Sequence, residues 1–299
     1  MSHKIIINGK QLNLTNLDKV YCQKNNITKK DCLNYYIKIY PYISEYLKNR
    51  PVALTRYPNG FQQKGFYQKN VPEGKPSWVE TINIPGIKNY PLINNIETFL
   101  WLCNLGTIEF HPWLSNKDNL DFPDYGVLDI DPMEKFSFKE VLIVARKVYE
   151  ILELLKIKSY PKLTGSTGIQ IYIPLVNRYT YEEVREFIRL IYVIVNNQLP
   201  EISTLERKVE QRKGKIYLDY LQNVKGQTLV APYSIRPKVG APISMPVRWE
   251  DIYKDNLSPQ EYNIFNSIQD IETIYPYFLE VLEKKQKIEK AYNLLQKLF

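Results

Sequence analysis

The sequence is poor in the side chains that structural zinc sites and disulfide frameworks require. Among 299 residues there are three cysteines and two histidines, and Cys22, Cys32 and Cys103 form no Cys-x-x-Cys pair. A structural zinc site usually takes four Cys or His ligands at short spacings. We therefore expect no zinc site, and we expect reduced thiols, as in an intracellular protein.

Long apolar runs are also missing. No segment approaches the roughly 20 apolar residues that a membrane-spanning helix needs, and the first residues, Met-Ser-His-Lys, are unlike a signal peptide. The sequence contains no internal repeat, low-complexity region or evident linker. With 44% hydrophobic residues it can bury an extensive core. We predict a soluble, cytoplasmic protein without a membrane partner, folded as a single domain over residues 1–299.

Positive charge and tyrosine are present in excess. Lys and Arg outnumber Asp and Glu by 40 to 32, and the formal net charge is +8. Such a balance favours a polyanionic partner, although many basic enzymes bind no nucleic acid. The 24 tyrosines offer aromatic faces for base stacking, although most are expected to serve as packing residues.

Two acids end a β-branched run at residues 125–132. In a strand, Asp129 and Asp131 lie on the same face because side chains alternate with period two. Carboxylates this close repel each other unless one is protonated or a cation lies between them, and Mg²⁺ and Mn²⁺ prefer carboxylate oxygens. The pair therefore indicates a metal site. The alternative is an ordinary loop that leads into a helix capped by Ser137.

A third acid lies in a similar setting. Residues 215–222 have the pattern of a strand, with Asp219 between aromatic and aliphatic neighbours. Three carboxylates on two adjacent strands would form a two-metal site for phosphoryl transfer, in which the cations clamp the attacking and leaving oxygens.

Two segments have the composition of phosphate contacts. The loop Thr164-Gly-Ser-Thr-Gly168 is made of small residues that let backbone amides and hydroxyls approach a phosphate, but it lacks the Gly-Lys-Ser/Thr of a Walker loop. A plain β-turn is the alternative. Lys19, Lys29 and Lys30 lie near turns and a helix start, where they could hold a phosphate or simply form a solvated basic loop.

Aromatic and histidine side chains give a weaker signal. In an extended segment Phe66 and Tyr67 point to opposite faces, so that one can pack inward while the other stacks on a base. His111 ends a predicted strand, where a lone histidine more often serves structure than catalysis.

The hydrophobic pattern predicts alternating helices and strands. Asn8-Gly9 is typical of a hairpin turn, and Thr28, Ser137 and Thr180 each begin a capping pattern ahead of an amphipathic helix. Further helices are predicted over residues 95–105 and in the tail 271–299. A strand that runs into a turn is predicted over residues 52–60, a strand over residues 107–113, and two strands joined by a loop over residues 160–174.

The order of short motifs resembles the polymerase domain of prokaryotic DNA ligase D, a branch of the archaeo-eukaryotic primase superfamily used in non-homologous end joining. The similarity extends over nearly the whole chain and rests on these segments: Asn16–Lys19, Gly65–Lys69, Ile108–Trp113, Leu128–Pro132, Leu163–Gly168, Asp219–Asn223, Ala231–Arg236 and Pro246–Trp249.

The resemblance implies an α/β (α+β) fold, a primase-polymerase core of mixed, largely antiparallel sheets flanked by helices. It implies that Asp129, Asp131 and Asp219 are catalytic and bind two divalent ions, Mn²⁺ or Mg²⁺. The residues that the family uses to bind an NTP or dNTP correspond to Thr164, Ser166, Thr167, Gln170, His111, Arg212, Gln222 and Arg236. Those for the 5′-phosphate of a downstream strand correspond to Asn16, Lys19 and Lys29. Those for stacking on or contacting DNA correspond to Arg56, Phe66, Tyr67 and Lys69.

The implied function is that of a DNA-directed nucleotidyltransferase that extends primer 3′ ends and fills short gaps at double-strand breaks. Residues up to about 110 would bind the DNA end, and the remainder would form the catalytic core. The chain lacks a Lys-x-Asp-Gly ligase motif, so we expect a separate ligase and a Ku-like end-binding protein as partners in the nucleoid of a prokaryotic cytoplasm. A replicative-type primase, a metal-dependent nuclease and a non-catalytic end-binding module are the alternatives.

Three positions depart from the family pattern. Gln170 replaces a histidine, and Thr167 and Thr55 each replace a lysine. Because charge-assisted hydrogen bonds are stronger than neutral ones, we expect weaker triphosphate binding and a higher demand for Mn²⁺ or nucleotide. Gln170 can still donate from its amide.

Overall fold

The computed structural model describes residues 2–86, 88–133, 135–254 and 256–298. It divides into two compact units, each assembled from separate stretches of the chain. The first unit comprises residues 1–118, 228–244 and 262–272, and the second comprises residues 119–227, 245–261 and 273–299. Within the described ranges, none of the helices combines the length and the apolar character needed to cross a membrane.

The first unit contains nine strands and two helices among its described residues. The strands are β1 (Ser2–Ile7), β2 (Lys10–Thr15), β3 (Val20–Cys22), β4 (Ile27–Thr28), β5 (Val52–Arg56), β6 (Phe66–Gln68), β7 (Thr81–Ile84), β8 (Lys88–Pro91) and β9 (Thr107–Pro112). The helices are α1 (Lys29–Leu47) and α2 (Ile96–Asn104). Antiparallel hairpins are formed by β1–β2, β3–β4 and β7–β8, and the central sheet has the antiparallel order β6-β5-β9.

Local sequence signals explain how these elements begin and turn. Ile7 pairs with Lys10 across Asn8 and Gly9, whose φ angles are 47° and 75°, as a type I′ turn requires. Thr28 caps α1 in a reciprocal box with Asp31. Both features confirm the sequence prediction.

Aromatic side chains fill the core of the first unit. The Tyr36 ring of α1 stands edge-on to Phe99 of α2 and Phe110 of β9, with ring centroids 5.2 and 5.5 Å apart. Phe99 and Phe110 stack on each other at 4.7 Å. Packing of this kind fixes β9 against the two helices, and β9 carries polar residues of the candidate site.

The second unit contains a five-stranded sheet. Its elements are β10 (Tyr125–Asp131), α3 (Phe138–Leu154), β11 (Tyr160–Leu163), β12 (Ile169–Pro174), α4 (Tyr181–Gln198), β13 (Ser203–Thr204), β14 (Ile216–Asp219), α5 (Trp249–Ile252) and α7 (Glu289–Gln296), and the residues of α6 (Ile268–Glu283) are divided between the units. The strand order is β11-β12-β10-β14-β13, antiparallel except for the parallel pair β13–β14.

Helices α3 and α4 contact the central strand β10. Ser137 caps α3, and Thr180 caps α4 in a reciprocal box with Glu183. The helical tail is divided into α6 and α7. The predicted α/β fold with mixed, largely antiparallel sheets is confirmed.

Candidate active site

The three predicted acids lie on one face of the sheet in the second unit. Strands β10 and β14 pair antiparallel, and Asp129 is directly opposite Asp219. Directly opposite side chains share a face, with Cβ atoms about 4.5–5.5 Å apart. Asp131 follows two residues along β10 and therefore points to the same side. The predicted adjacency of the two acidic strands is confirmed.

A row of polar residues begins with Asp219 and Asp129 and continues onto two further strands, β12 and β11. Gln170 of β12 is opposite Asp129, and Lys162 of β11 is opposite Gln170. Gln170 is 5% exposed and Lys162 is fully buried. Lys162 is a site residue that the sequence analysis missed. Its signal is a lysine at an inward position of the short strand Tyr160–Leu163.

Burial and mutual repulsion weaken the acidity of this row. The pKa of Asp129 is raised to about 7, chiefly by burial and then by the charges of Asp219 and Asp131, while a hydrogen bond with Gln170 opposes the rise. Burial also raises the pKa of Asp219. The backbone N–H of Leu221 donates to Asp219 Oδ1 at 2.9 Å, and this hydrogen bond opposes the rise. A divalent cation would relieve this repulsion.

The three carboxylates are a donor set that fits a hard divalent cation. Among the described residues no group of three or more His, Cys, Asp or Glu side chains could hold a metal ion as it stands. The strand register carries the metal-site hypothesis, because it places the three carboxylates on one face regardless of their rotamers.

A polar cavity of about 250 Å³ adjoins Asp219. Gln222 donates from Nε2 to Asp219 Oδ2 at 3.1 Å. The Arg212 guanidinium lies 3.8 Å from the centroid of the Tyr217 ring and donates to the carbonyls of Glu206 and Arg207. The cavity is lined by Arg207, Arg212, Tyr217, Asp219, Leu221, Gln222 and Gln227. Predicted nucleotide residues Arg212 and Gln222 thus share a cavity with a predicted metal ligand.

The loop between β11 and β12 is held by its own first residue. Thr164 Oγ1 accepts from the backbone N–H groups of Ser166 and Gly168 at 3.2 and 3.1 Å. Both amide N–H groups therefore donate within the loop. In a phosphate-binding turn, such N–H groups would be free to donate to the phosphate. A Cβ on Gly168 would lie 2.2 Å from the carbonyl oxygen of Ile130, so only glycine fits there. Thr167 remains exposed.

A second polar cluster lies in the first unit, around Glu109. Arg236 donates from Nε to Glu109 Oε1 at 2.7 Å, and His111 Nε2 lies 3.4 Å from Glu109 Oε2. Thr55 Oγ1 is within hydrogen-bond distance of the same imidazole nitrogen, at 2.8 Å. Predicted residues His111 and Arg236 are thus brought together. The buried acid that joins them was missed, and its only signal is an acid inside a strand.

Glu109 stays ionised in spite of its burial, with 6% of its surface exposed. Burial raises its pKa, but the hydrogen bond with His111 and the charge of Arg236 outweigh burial and lower the pKa to about 2. A buried carboxylate with a low pKa is a fixed negative charge that holds its cationic partners in place.

The two aromatic residues predicted for stacking are both partly exposed. Phe66 and Tyr67 are 45% and 48% exposed, so the expectation that one packs inward is wrong. The short strand β6 lies at the edge of its three-stranded sheet. Tyr67 stands edge-on to His111 at 5.6 Å, and its hydroxyl lies 2.6 Å from Thr228 Oγ1.

Arg56 and Lys69 lie beside these rings. The Arg56 guanidinium stands 5.1 Å from the centroid of the Phe66 ring, donates twice to the Leu105 carbonyl and donates once to Gln68 Oε1. Arg56 therefore links β5 to β6 and to Leu105 by hydrogen bonds, besides being a partly exposed cation. Lys69 is half-exposed.

Lys29 occupies a different environment from the surface lysine that the sequence predicts. Its ammonium donates to the Thr15 carbonyl at 2.6 Å and to the carbonyl and Oδ1 of Asn104 at 2.6 and 2.8 Å. Burial, and next the charge of Lys19, lower its pKa to about 8. A phosphate that binds Lys29 directly must replace one of these three acceptors.

Asn16 and Lys19 are more accessible. Asn16 is exposed and has a φ angle of 55°, and Lys19 donates to the Pro58 carbonyl at 2.9 Å and to Asn59 Oδ1 at 3.3 Å. The three predicted 5′-phosphate residues thus lie near one another in the first unit, with one of them turned inward.

Comparisons with known proteins show which family has this arrangement. The family model described as the LigD primase-polymerase domain matches residues 28–275. The chain is 37% identical over 264 residues to the bifunctional non-homologous end joining protein LigD of Bacillus subtilis, and the match covers 88% of this chain and 43% of that protein. It is 32% identical over 209 residues to the multifunctional LigD of Pseudomonas aeruginosa, with 69% and 25% covered. The chain thus spans less than half the length of these relatives.

A solved structure has the same fold. The polymerase domain from Mycobacterium tuberculosis ligase D, in complex with DNA, superposes with a TM-score of 0.82 at 23% identity, covering 92% of this chain and 99% of that one.

Proposed function

Since the chain belongs to the LigD primase-polymerase domain family, a family of nucleotidyltransferases, we propose that it extends primer 3′ ends and fills short gaps at double-strand breaks in non-homologous end joining. The observation that carries the proposal is the register that sets Asp129 opposite Asp219, with Asp131 on the same face. Residues 1–299 would act as one polymerase domain, in which residues up to about 110 bind the DNA end.

The acids would hold two divalent ions, Mn²⁺ or Mg²⁺, that neutralise charge on the transferred phosphate and lower the pKa of the attacking hydroxyl. Gln222 orients Asp219 by the hydrogen bond at 3.1 Å. Gln170 forms a hydrogen bond with Asp129 that opposes the rise in the pKa of this carboxyl group.

The residues proposed to contact the incoming NTP or dNTP fall in both units. Arg212 supplies a cation beside Asp219, and Thr164 shapes the loop that presents Ser166 and Thr167. His111 and Arg236, held by Glu109, are the proposed triphosphate contacts of the first unit. Charge-assisted hydrogen bonds to phosphate oxygens are the expected interaction.

DNA would be bound through the basic and aromatic residues of the first unit. Lys19 and Lys29 repel each other enough to help lower the pKa of Lys29, and a 5′-phosphate placed beside them and Asn16 would relieve that repulsion. Phe66 and Tyr67 have exposed faces for stacking at the break. Arg56 and Lys69 are proposed backbone contacts. The chain would act in the nucleoid of a prokaryotic cytoplasm, together with a Ku-like end-binding protein and a separate ligase.

The test is primer extension on a gapped duplex with and without a downstream 5′-phosphate, using ribonucleotides or deoxyribonucleotides in Mg²⁺ or Mn²⁺. Incorporation that depends on the primer and increases with the 5′-phosphate is the expected result. DNA binding without incorporation in any condition would reduce the chain to an end-binding module. Digestion without added nucleotide would indicate a nuclease, and synthesis without a primer would indicate a primase.

A further inference from the structure

The cation Lys238 lies on the same short hairpin as Arg236. Ile235 and Ile243 form an antiparallel bridge, and the Arg236 N–H donates to the Pro242 carbonyl at 2.7 Å. The Lys238 N–H donates to the Arg236 carbonyl at 2.8 Å, and the Lys238 carbonyl accepts from Ala241 at 3.0 Å. Backbone hydrogen bonds therefore fix the segment that carries both cations.

The charge around these two cations is unbalanced. Arg236 forms its ion pair with Glu109, whereas no hydrogen bond or ion pair reaches the half-buried Lys238 ammonium within the described residues. Burial, and next the charge of Arg236, lower the pKa of Lys238, while Glu109 opposes this. Glu109 thus acts on both cations. Burial and the charge of Arg236 both disfavour the protonated ammonium of Lys238, and an anionic ligand would favour it.

The neighbouring residues leave this excess of positive charge in place. Thr55, which contributes to the same cluster through its contact with His111, is neutral. Tyr57 also lies within electrostatic reach of Glu109 and Arg236, and its pKa is raised, chiefly by burial, so it stays neutral as well.

We propose that Lys238 is a further triphosphate-binding residue, which donates to phosphate oxygens beside Arg236 while Glu109 holds the Arg236 guanidinium. The inference rests on the proposed function, in which Arg236 binds the nucleotide. An ammonium offers three donors and a compact charge, and it needs no fixed orientation to bind phosphate. Lys238 would therefore supply a phosphate-binding cation in a cluster where Thr55 supplies none.

The experiment measures equilibrium binding of inorganic tripolyphosphate, ATP and adenosine to the full chain and to Lys238→Gln and Lys238→Arg. Lys48→Gln is the matched control, because Lys48 is an exposed lysine of the same unit outside both clusters. Loss of one charge-assisted contact should weaken ATP and tripolyphosphate about tenfold or more in Lys238→Gln. Adenosine binding should not change, Lys238→Arg should recover most of the affinity, and Lys48→Gln should behave as the unaltered chain.

In primer extension, the same Gln variant should raise the KM for nucleotide more than it lowers kcat, because the lost contact is made in the ground state as well as in the transition state. Unchanged ATP and tripolyphosphate affinity in Lys238→Gln would overturn the inference, and so would an equal loss in Lys48→Gln. If the unaltered chain extends primers but the KM is unaffected, the inference alone fails. If the unaltered chain incorporates no nucleotide, the proposed function fails.

Discussion

Replacing Glu109 by glutamine should make the stability of the protein less dependent on acid. Glu109 is buried between Arg236 and His111 and accepts from Arg236 Nε at 2.7 Å. Glutamine keeps the size and one acceptor oxygen but removes the charge. The Arg236 guanidinium then remains partly buried without its counter-charge, a situation that is strongly destabilising.

The magnitude follows from the pKa of Glu109, which is lowered from an ordinary 4.5 to about 2. At about 1.4 kcal/mol for each pH unit, the difference corresponds to about 3 kcal/mol of folding free energy. Because the pKa is lower in the folded state, this stabilisation is present above pH 4.5 and is lost as the pH falls towards 2. Roughly 2 kcal/mol of it should be gone at pH 3.

Urea unfolding at several pH values between 7 and 3 measures this effect. At pH 7 the Glu109→Gln variant should be about 3 kcal/mol less stable than the unaltered chain, and at pH 3 the gap should close to about 1 kcal/mol. Glu182→Gln, an exposed acid in α4, is the control and should follow the unaltered chain. A gap that stays constant from pH 7 to pH 3 would refute the reasoning.

Two further predictions concern single residues. Lys29→Met should abolish the preference for a 5′-phosphate. In the unaltered chain that preference should weaken above about pH 8, because the Lys29 ammonium loses its proton there. Gel-shift titration with phosphorylated and hydroxyl ends measures both effects, and a preference that survives in Lys29→Met would contradict the proposal. Gly168→Ala should lower the free energy of unfolding by about 1–3 kcal/mol and slow primer extension, because the new Cβ would push on the Ile130 carbonyl beside Asp129. A melting temperature and an extension rate equal to those of the unaltered chain would show that the loop accommodates a methyl group.

Sequence pattern was sufficient for the elements that carry the acids. The β-branched run before Asp129 and the alternation before Asp219 predict two strands, and capping residues predict where the helices begin. The fold class and the family also follow from the order of motifs. These features are local in the chain, or they are repeated in relatives, and so they are readable from residues alone.

The adjacency of the two acidic strands was predicted, but the exact pairing of residues far apart in the chain was beyond that reach. Asp129 and Asp219 are 90 residues apart, and only the strand order places them opposite each other. The Glu109–Arg236 pair joins residues 127 positions apart. Nothing local distinguishes such an acid from one on the surface, because burial of a charge depends on the partner that compensates it.

Lys29 shows the same limit from the opposite side. Its sequence context, a lysine at the start of a helix beside polar residues, is that of an exposed cation. In the structure the Asn104 carbonyl at the end of α2 and the Thr15 carbonyl at the end of β2 turn it inward. The sequence shows that a lysine stands at this position, whereas the acceptors of its ammonium depend on the packing of separate elements.

Asp129, Asp131 and Asp219 are proposed to catalyse nucleotide transfer. Single-nucleotide incorporation by the Asp129→Asn variant tests this role most directly. Asparagine keeps the shape of the side chain and removes the charge that a divalent ion requires, so the fold should persist, as a melting curve would show. The unaltered chain should add one nucleotide to a primer 3′ end in Mn²⁺, and Asp129→Asn should add none. Incorporation by the folded variant at the rate of the unaltered chain would contradict the account.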